Sequence, residues 1–405
     1  MSKLLIVNSV LGFGSTGKIV MNIAREYEQK GYEVKVAFGR IMKQAATSSD
    51  GKRAALYGNM GVRIGNDMDV YCHGILSRIT DKHGLYSRMS TRKFLKWASE
   101  YDPDVLWMHN IHGYYINYEM LFDWIKSRPQ MKVKWTLHDC WSFTGHCAHF
   151  AYVKCDKWKE GCHDCPQRAT YPAAIRDNSV GNFRRKKAAF TGVSDMTLIT
   201  PSEWLKDMVK QSYMSEYPVE VKYNTINTEV FRPVDNSFKR NHGIEDKKMI
   251  LGVASFWNER KGLDDFIELD KKLRSIDESE STDLASEQNS AHGTEKGNRS
   301  KFKIVLVGLS EAQMEDLRKK GSDILGIPRT NSVSEIVEIY SAADVFVNPT
   351  YEDTFPTVNM EAEACGTPVI TYDTGGCRET LKSDKSMVIP QSVDEIIEAL
   401  GKMNV

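Results

Sequence analysis

Two acidic side chains, Asp353 and Glu361, lie eight positions apart in the stretch from Asn348 to Gly376, with Glu352 beside the first. An apolar strand at residues 344–347 leads into this acidic turn. A helix is then predicted to open near Val358, with Glu361 in its first turn, and Gly366-Thr367-Pro368 stops it before a second strand. The pattern sets both acids at the carboxyl edge of a sheet, where open α/β sheets bind ligands. Carboxylates there accept hydrogen bonds from sugar or ribose hydroxyls, and the N–H groups opening the helix can hold a phosphate. Taken alone, an ordinary strand–loop–helix with surface acids accounts for the same residues.

Four other clusters carry chemistry. The loop Leu11-Gly12-Phe13-Gly14-Ser15-Thr16-Gly17-Lys18 follows the first strand, and its glycines permit close approach of backbone to a ligand. It departs from the dinucleotide fingerprint, because strand two ends Phe38-Gly39-Arg40 with no acid. It departs from the Walker pattern because Ile19 stands where a hydroxyl is required. His109-Asn110-Ile111-His112 and His138-Asp139 each end a predicted strand, which brings histidines to one sheet edge. Asn258-Glu259-Arg260-Lys261-Gly262 offers a guanidinium fork and an ammonium suited to a diphosphate. Finally, Cys147, Cys155, Cys162 and Cys165 can close a structural tetrahedral zinc site, with free thiols or a disulfide as the alternatives. Four cysteines would leave no open position for catalysis by that metal.

The elements that must position these groups follow from periodicity. Short apolar strands at residues 4–8, 33–38, 105–109, 134–138, 198–200 and 219–223 alternate with helical stretches, the pattern of βαβ units on a parallel sheet. The pattern restarts after Pro233, with strands at 249–254, 303–307, 324–326, 345–348 and 369–372. We therefore expect α/β architecture: two doubly wound, Rossmann-like domains, 1–232 with a Cys-rich insert at 140–167 and 233–405, with a cleft between them. Residues 275–300 are too polar to build a core and are predicted to form a flexible insert. A length of 405 residues suits two domains. Lys+Arg and Asp+Glu balance at 54 each, so no global field favours nucleic acid. The opening residues read as a buried strand, not a signal peptide, and no apolar run would span a bilayer. A cytoplasmic protein is expected, with peripheral contact at a membrane face compatible with the sequence.

In this order the motifs resemble the retaining GT-B glycosyltransferases of family 4, of the bacterial polysaccharide and lipopolysaccharide type, over nearly the whole chain. The most specific part is the acidic turn followed by Glu361-Ala-Glu-Ala-Cys-Gly-Thr-Pro-Val. The family's E-x7-E pattern falls on Asp353 and Glu361, and Glu352 competes for the first place. The resemblance implies a metal-independent hexosyl transfer, with retention, from a UDP- or GDP-sugar to an acceptor hydroxyl on a saccharide or lipid-linked saccharide. It further implies that Arg260 and Lys261 meet the donor diphosphate, Glu361 the ribose, and Asp353 or Glu352 the sugar hydroxyls. His138 would lie near the reacting carbon. Gly14, Thr16 and Gly17 would close over the substrates, and Thr374, Gly375 and Gly376 would flank the donor phosphates. A GT-B nucleotide-sugar epimerase, a two-carboxylate glycoside hydrolase and a zinc-stapled interaction protein are the rival readings.

Overall fold

The structure is a computed structural model that describes residues 1–40, 59–287 and 301–403, apart from the side chains of 277–287. It divides into two compact units, Met1–Asn224 and Thr225–Val405. The first unit runs β1 (Lys3–Val10), α1 (Gly14–Gln29), β2 (Glu33–Arg40), β3 (Gly61–Arg63), α2 (Asp67–Thr80), α3 (Arg88–Tyr101), β4 (Val105–Met108) and α4 (Tyr118–Lys126). It continues through β5 (Lys132–Thr136), α5 (Ser179–Phe190), β6 (Met196–Thr200), α6 (Glu203–Lys210) and β7 (Val219–Val221). The second runs α7 (Phe238–Asn241), β8 (Lys248–Val253), α8 (Leu263–Glu287), β9 (Phe302–Val307), α9 (Glu311–Lys319), β10 (Leu325–Ile327) and α10 (Val333–Ala342). Then come β11 (Val345–Asn348), α11 (Thr357–Ala364), β12 (Val369–Tyr372), β13 (Met387–Ile389) and α12 (Val393–Lys402).

Each unit holds one sheet, ordered β3-β2-β1-β4-β5-β6-β7 and β10-β9-β8-β11-β12-β13. Adjacent strands in both pair parallel, as in β1 and β4 with Ile6 opposite Trp107. A parallel sheet is covered on both faces, so its strands must be apolar on both. In β1 the two-residue alternation splits the strand: Leu5 and Val7 join one core, Leu4 and Ile6 the other. In β11, Val345 and Val347 face one core and Phe346 the opposite one.

The expected strands are present, and the two that periodicity missed, β3 and β13, are three residues long each. Two element boundaries differ from expectation. Helix α11 opens at Thr357, so Glu361 sits in its second turn. Helix α8 continues through Ser275 to Glu287, where a flexible insert was expected to begin. Its polar sequence still forms helix because it lacks Gly and Pro up to that point. The remainder of that expectation, residues 288–300, lies outside the described residues.

The strand order reverses between β1 and β4 in the first sheet and between β8 and β11 in the second. These are the switch points at which the loops after adjacent strands diverge and open a ligand crevice. The motif loops after β1, β4, β8 and β11 are therefore the loops that flank the two switch points. Gly308 shows how tightly the second is built. It follows β9 at φ 95°, and a Cβ placed there would meet the Ala254 carbonyl oxygen at 1.8 Å. Gly308→Ala is expected to cost about 2–3 kcal/mol, read as a lower urea midpoint for the second unit with an unchanged first.

Candidate functional site

The first unit gathers its histidines at the carboxyl edge. His109 Nδ1 and His138 Nε2 are 3.0 Å apart, and the rings stack with centroids at 5.3 Å. Since one of the two nitrogens must donate and the other accept, both rings cannot be charged without breaking this bond. Burial pushes the His109 imidazole well below its ordinary value, aided by the charge His138 would carry. His138 keeps part of its surface accessible, yet burial still brings it down to about 4. A neutral pair results near pH 7.

The neighbouring pair is charge-assisted. His112 Nε2 lies 3.0 Å from Asp139 Oδ2, and its Nδ1 lies 3.1 Å from the Tyr171 hydroxyl. The Trp141 N–H donates to the other Asp139 oxygen at 2.9 Å. Burial opposes ionisation of Asp139, but His112 and the Trp141 N–H outweigh it and hold the carboxyl well below the usual range.

Underneath lies Lys186. Its ammonium donates to the Trp141 and Thr144 carbonyls at 2.7 and 3.1 Å and sits 3.5 Å from the centre of the Trp141 ring system. Burial brings its pKa down to about 7. These contacts tie the turn after Asp139 to α5. Neither Lys186 nor His83 stands out in sequence. His83 packs against Tyr114, Trp141 and His112, with ring centroids at 4.6, 5.5 and 5.9 Å. Helix α2 places it, ending in Asp81, which accepts from the Asn178 N–H at 2.8 Å and meets His146 at 2.5 Å. Only the pairing of buried Asp81 with a distant histidine marks the segment, and sequence spacing does not show it.

The glycine loop after β1 turns through Gly12 and Gly14, at φ 72° and 60°. Gly17 is needed for packing, since its Cβ would lie 3.2 Å from the Gly12 nitrogen. Helix α1 opens there without a side-chain cap and without an acid in its first turn. The N–H groups at Ser15 and Thr16 thus keep an anion-favouring end.

The cysteine cluster does not form the zinc site that its spacing suggested. Cys147 and Cys165 share a hydrogen bond, the Cys162 sulfur accepts the Gly145 N–H at 3.1 Å, and Cys155 packs against the core. All are free thiols. Among the described residues no group of three or more His, Cys, Asp or Glu is disposed to hold a metal ion. Two of the thiols are spent on each other and a third on a backbone N–H.

In the second unit the basic and acidic motifs interlock. Asn258 caps a single 3-10 turn by accepting the Lys261 N–H at 3.1 Å, and Gly262 ends it at φ 72° against the Pro349 carbonyl. Arg260 donates to the Glu352 carbonyl oxygen. Its own carbonyl accepts the Tyr351 N–H at 2.8 Å. The Lys261 ammonium lies 2.5 Å from Asp353 Oδ2, with both side chains about one-fifth exposed. Glu352, in contrast, is fully buried. Glu361 accepts from the Tyr340 hydroxyl at 3.1 Å. The Thr374-Gly375-Gly376 turn closes over this loop: Gly376 N–H donates to the Asp353 carbonyl at 2.9 Å, and Thr374 donates to the Thr350 carbonyl at 2.6 Å.

Two parallel α/β units of seven and six strands, each with its chemistry-bearing loops at the switch point, define the GT-B architecture. Solved structures share it: a sucrose-phosphate synthase from Thermosynechococcus elongatus matches all of this chain and 90% of its own, with TM-score 0.63 and 15% identity. Anabaena HepE in complex with UDP and glucose matches 99% and 89%, at TM-score 0.59 and 13% identity. The Glycosyltransferase Family 4 pattern matches residues 16–230 and that of Glycosyl transferases group 1 residues 234–403, so the chain belongs to glycosyltransferase family 4. Among curated relatives, a colanic acid biosynthesis glycosyl transferase, WcaC, of Escherichia coli is 31% identical over 27% of this chain and 28% of its own length. An N,N'-diacetylbacillosaminyl-diphospho-undecaprenol alpha-1,3-N-acetylgalactosaminyltransferase of Campylobacter jejuni is 28% identical over 36% of this chain and 32% of its own.

The neutral histidines give an acid-sensitivity prediction. His73, in α2, is brought down to about 3 by burial, and His138 to about 4. Unfolded histidine titrates near 6.5. As pH falls below about 6.5, the unfolded chain therefore takes up protons that the folded one refuses, and stability drops, while above that value it is level. Between pH 7 and 5 this amounts to at most about 2 kcal/mol for each of the two. Urea melts across that range should show the loss, with a shallower slope in His138→Asn.

Proposed function

We propose that the protein is a retaining, metal-independent hexosyltransferase that moves a sugar from a nucleotide-diphosphate sugar to a hydroxyl of a saccharide or lipid-linked saccharide. The observation that carries this reading is the interlock of Lys261 with Asp353 at the second switch point, with Glu361 on the helix that follows. A diphosphate leaving group needs fixed positive charge, and a sugar needs carboxylates for its hydroxyls. A hydrolase acting on a neutral glycoside has no use for the Arg260-Lys261 pair.

In this mechanism Lys261 and the outer face of Arg260 take the charge that develops on the departing nucleoside diphosphate. Arg260 is already anchored to the Glu352 carbonyl, so little reorganisation is required of it. Lys261 exchanges part of its bond to Asp353 for the phosphate, which frees Asp353 to accept donor-sugar hydroxyls. Glu361, steadied by Tyr340, is assigned to the ribose. Of the two competing acids we assign Asp353 to the sugar, because Glu352 has no exposed surface. Thr374, Gly375 and Gly376 shape the loop from behind through the Asp353 carbonyl. Gly14 and Thr16 at the start of α1 are assigned to offer N–H groups to an anionic substrate oxygen, while Gly17, whose own N–H donates to the Phe13 carbonyl, lets the loop pack close enough to do so. His138 is assigned to the reacting end of the sugar, as a neutral group.

UDP is the first nucleotide to test, since HepE is described in complex with UDP and with UDP-glucose. A glycan acceptor in bacterial surface polysaccharide assembly agrees with the two curated relatives named above, and a cytoplasmic setting with a donor made there. Thermal-shift titration against UDP-, GDP- and ADP-sugars should raise the melting temperature for one base class only. Product analysis with that donor should show nucleoside diphosphate released in step with acceptor glycosylation, not an epimerised donor.

Lys261→Ala and Glu361→Ala are each expected to lower turnover about 100- to 1,000-fold with the fold intact by circular dichroism. Near-normal turnover in both would sink the assignment. Asp353→Asn should lose turnover at nearly unchanged stability, whereas Glu352→Gln should mainly lower the melting temperature.

A further inference from the structure

The thiols of the Cys-rich insert differ from the other cysteines of the chain. Cys365 and Cys377 are buried, and burial pushes them up to about 11 and about 12, which leaves them inert. Cys72 is exposed on α2. In the insert two sulfurs meet. Cys147 is buried, Cys165 is partly exposed, and the two share a hydrogen bond.

Their surroundings make the two members unequal. Cys147 keeps its proton, because its hydrogen bond to Cys165 and its burial both disfavour the thiolate. Cys165 accepts that bond; with His146 nearby and the Gln167 N–H, it holds the Cys165 thiol below its ordinary value against burial. His146 is itself fixed by buried Asp81 at 2.5 Å, and its Nε2 has no partner among the described residues. The opposing carboxylate, Asp177, is occupied by the N–H groups of Cys165 and Ser179 at 2.6 and 2.8 Å. Cys162 stands three positions before Cys165, but its sulfur takes the Gly145 N–H at 3.1 Å and burial pushes it up to about 11. An accessible thiol biased toward the thiolate, with a protonated thiol bonded behind it, is the arrangement of an attacking and a resolving cysteine.

The two sulfurs belong to separate pieces of the first unit's edge. Cys147 closes the turn that follows Asp139: its carbonyl accepts the Thr144 hydroxyl, and the Ala148 carbonyl accepts the Cys140 N–H at 3.0 Å. Cys165 opens the segment that leads to Tyr171, by turns in which the Arg168 N–H donates to the Cys165 carbonyl and the Thr170 N–H to the Gln167 carbonyl. These pieces are the two ends of one bonded chain, because His112 meets Asp139 at 3.0 Å and the Tyr171 hydroxyl at 3.1 Å.

We propose that Cys165 and Cys147 are a peroxide-responsive redox pair, whose disulfide staples the turn after Asp139 to the segment that carries Tyr171. The Cys165 sulfur attacks one oxygen of hydrogen peroxide, the O–O bond breaks, and Cys165 becomes a sulfenic acid as one water leaves. The Cys147 sulfur then attacks the Cys165 sulfur. The S–S bond forms, the S–O bond breaks, and the hydroxyl leaves with the Cys147 proton as a second water. Two thiols and one peroxide thus give one disulfide and two waters, with two electrons passing from sulfur to oxygen. A sulfur already in contact resolves the sulfenic acid before further oxidation can make it irreversible, and a reducing dithiol restores the pair by exchange. The inference goes beyond the transferase reading and does not depend on it.

The test is mass spectrometry of the full chain, reduced, freed of reductant and treated with hydrogen peroxide, with no nucleotide sugar present. Digestion should yield one bridged peptide pair, Cys147 to Cys165, formed about ten-fold or more faster than Cys72 is oxidised and reversed by dithiothreitol. Cys147→Ser should stop at a sulfenic acid on Cys165 that dimedone traps, and Cys165→Ser should leave Cys147 reduced. Cys165 is the more exposed of the two, so Cys165→Ser is expected to melt with the reduced wild type and keeps the test open should Cys147→Ser lose stability. The bridged protein should melt about 5 °C above the reduced one. The proposal is overturned if Cys165 reacts no faster than Cys72, if peroxide joins Cys162 to Cys165 instead, or if bridging leaves the melting temperature unchanged. Stoichiometric zinc on the purified protein, shielding these thiols until a chelator removes it, overturns it equally.

Discussion

Parallel strand pairing is the constraint on which the rest of the molecule depends. When every strand in a sheet runs one way, every strand-to-helix loop leaves from the same edge, and the loops at the order reversal have room between them. The residues that carry chemistry can then be scattered widely in sequence and still meet. His109 and His138 are 29 positions apart and bond directly; Lys261 and Asp353 are 92 apart and form an ion pair. Neither contact is available to a chain that folds back on itself in hairpins. The cost is that both sheet faces must be covered, which is why β1 and β11 are apolar on each.

The two edges solve different electrostatic problems. At the first, burial disfavours charge and holds His109 and His138 neutral; Asp139 ionises all the same, because His112 and a backbone N–H meet its oxygens. At the second, the charges remain and are paired across loops. The Lys261–Asp353 pair is partly exposed, so its desolvation cost is modest and its geometry can be surrendered to a ligand. An edge that keeps charge in reserve suits a substrate whose leaving group becomes more negative during reaction.

Much of this was legible in the sequence, for identifiable reasons. Buried parallel strands are continuous apolar runs, and a run such as Leu4–Leu5–Ile6–Val7, too short for a helix and apolar on both faces, fits only a covered strand. Motifs at strand ends inherit their position from the strand, so His138, Lys261, Asp353 and Glu361 could be placed without knowing any side-chain direction. The failures have the opposite cause. The cysteines of the 140–167 insert have zinc-like spacing, but a loop without regular geometry does not convert spacing into a four-ligand set: Cys147 and Cys165 bond each other, Cys162 takes a backbone N–H, and the free-thiol alternative is the one observed. The start of α11 slipped by one residue because a proline cap, Pro356, fixes the opening turn ahead of the first apolar position. Whether Glu352 or Asp353 faces outward could not be read at all, since adjacent residues in a turn differ in direction by a backbone rotation that composition does not encode. The structure separates them by burial.

Lys186 shows how far a site can depend on a residue with no signature of its own. A buried ammonium costs several kcal/mol unless its donors are met, and here no carboxylate bonds it directly. Two carbonyls, of Trp141 and Thr144, and the face of Trp141 take that place. The arrangement is demanding: those carbonyls must stay turned inward, so the backbone after Asp139 has one conformation open to it. The Trp141 N–H is held in the same turn, and it is this N–H that fixes the second Asp139 oxygen. The orientation of Asp139 toward His112 is thus set from below, by a lysine on α5 some 45 residues away in sequence. The interior charge is better understood as the means by which a loop without regular structure is made as rigid as the strands beside it.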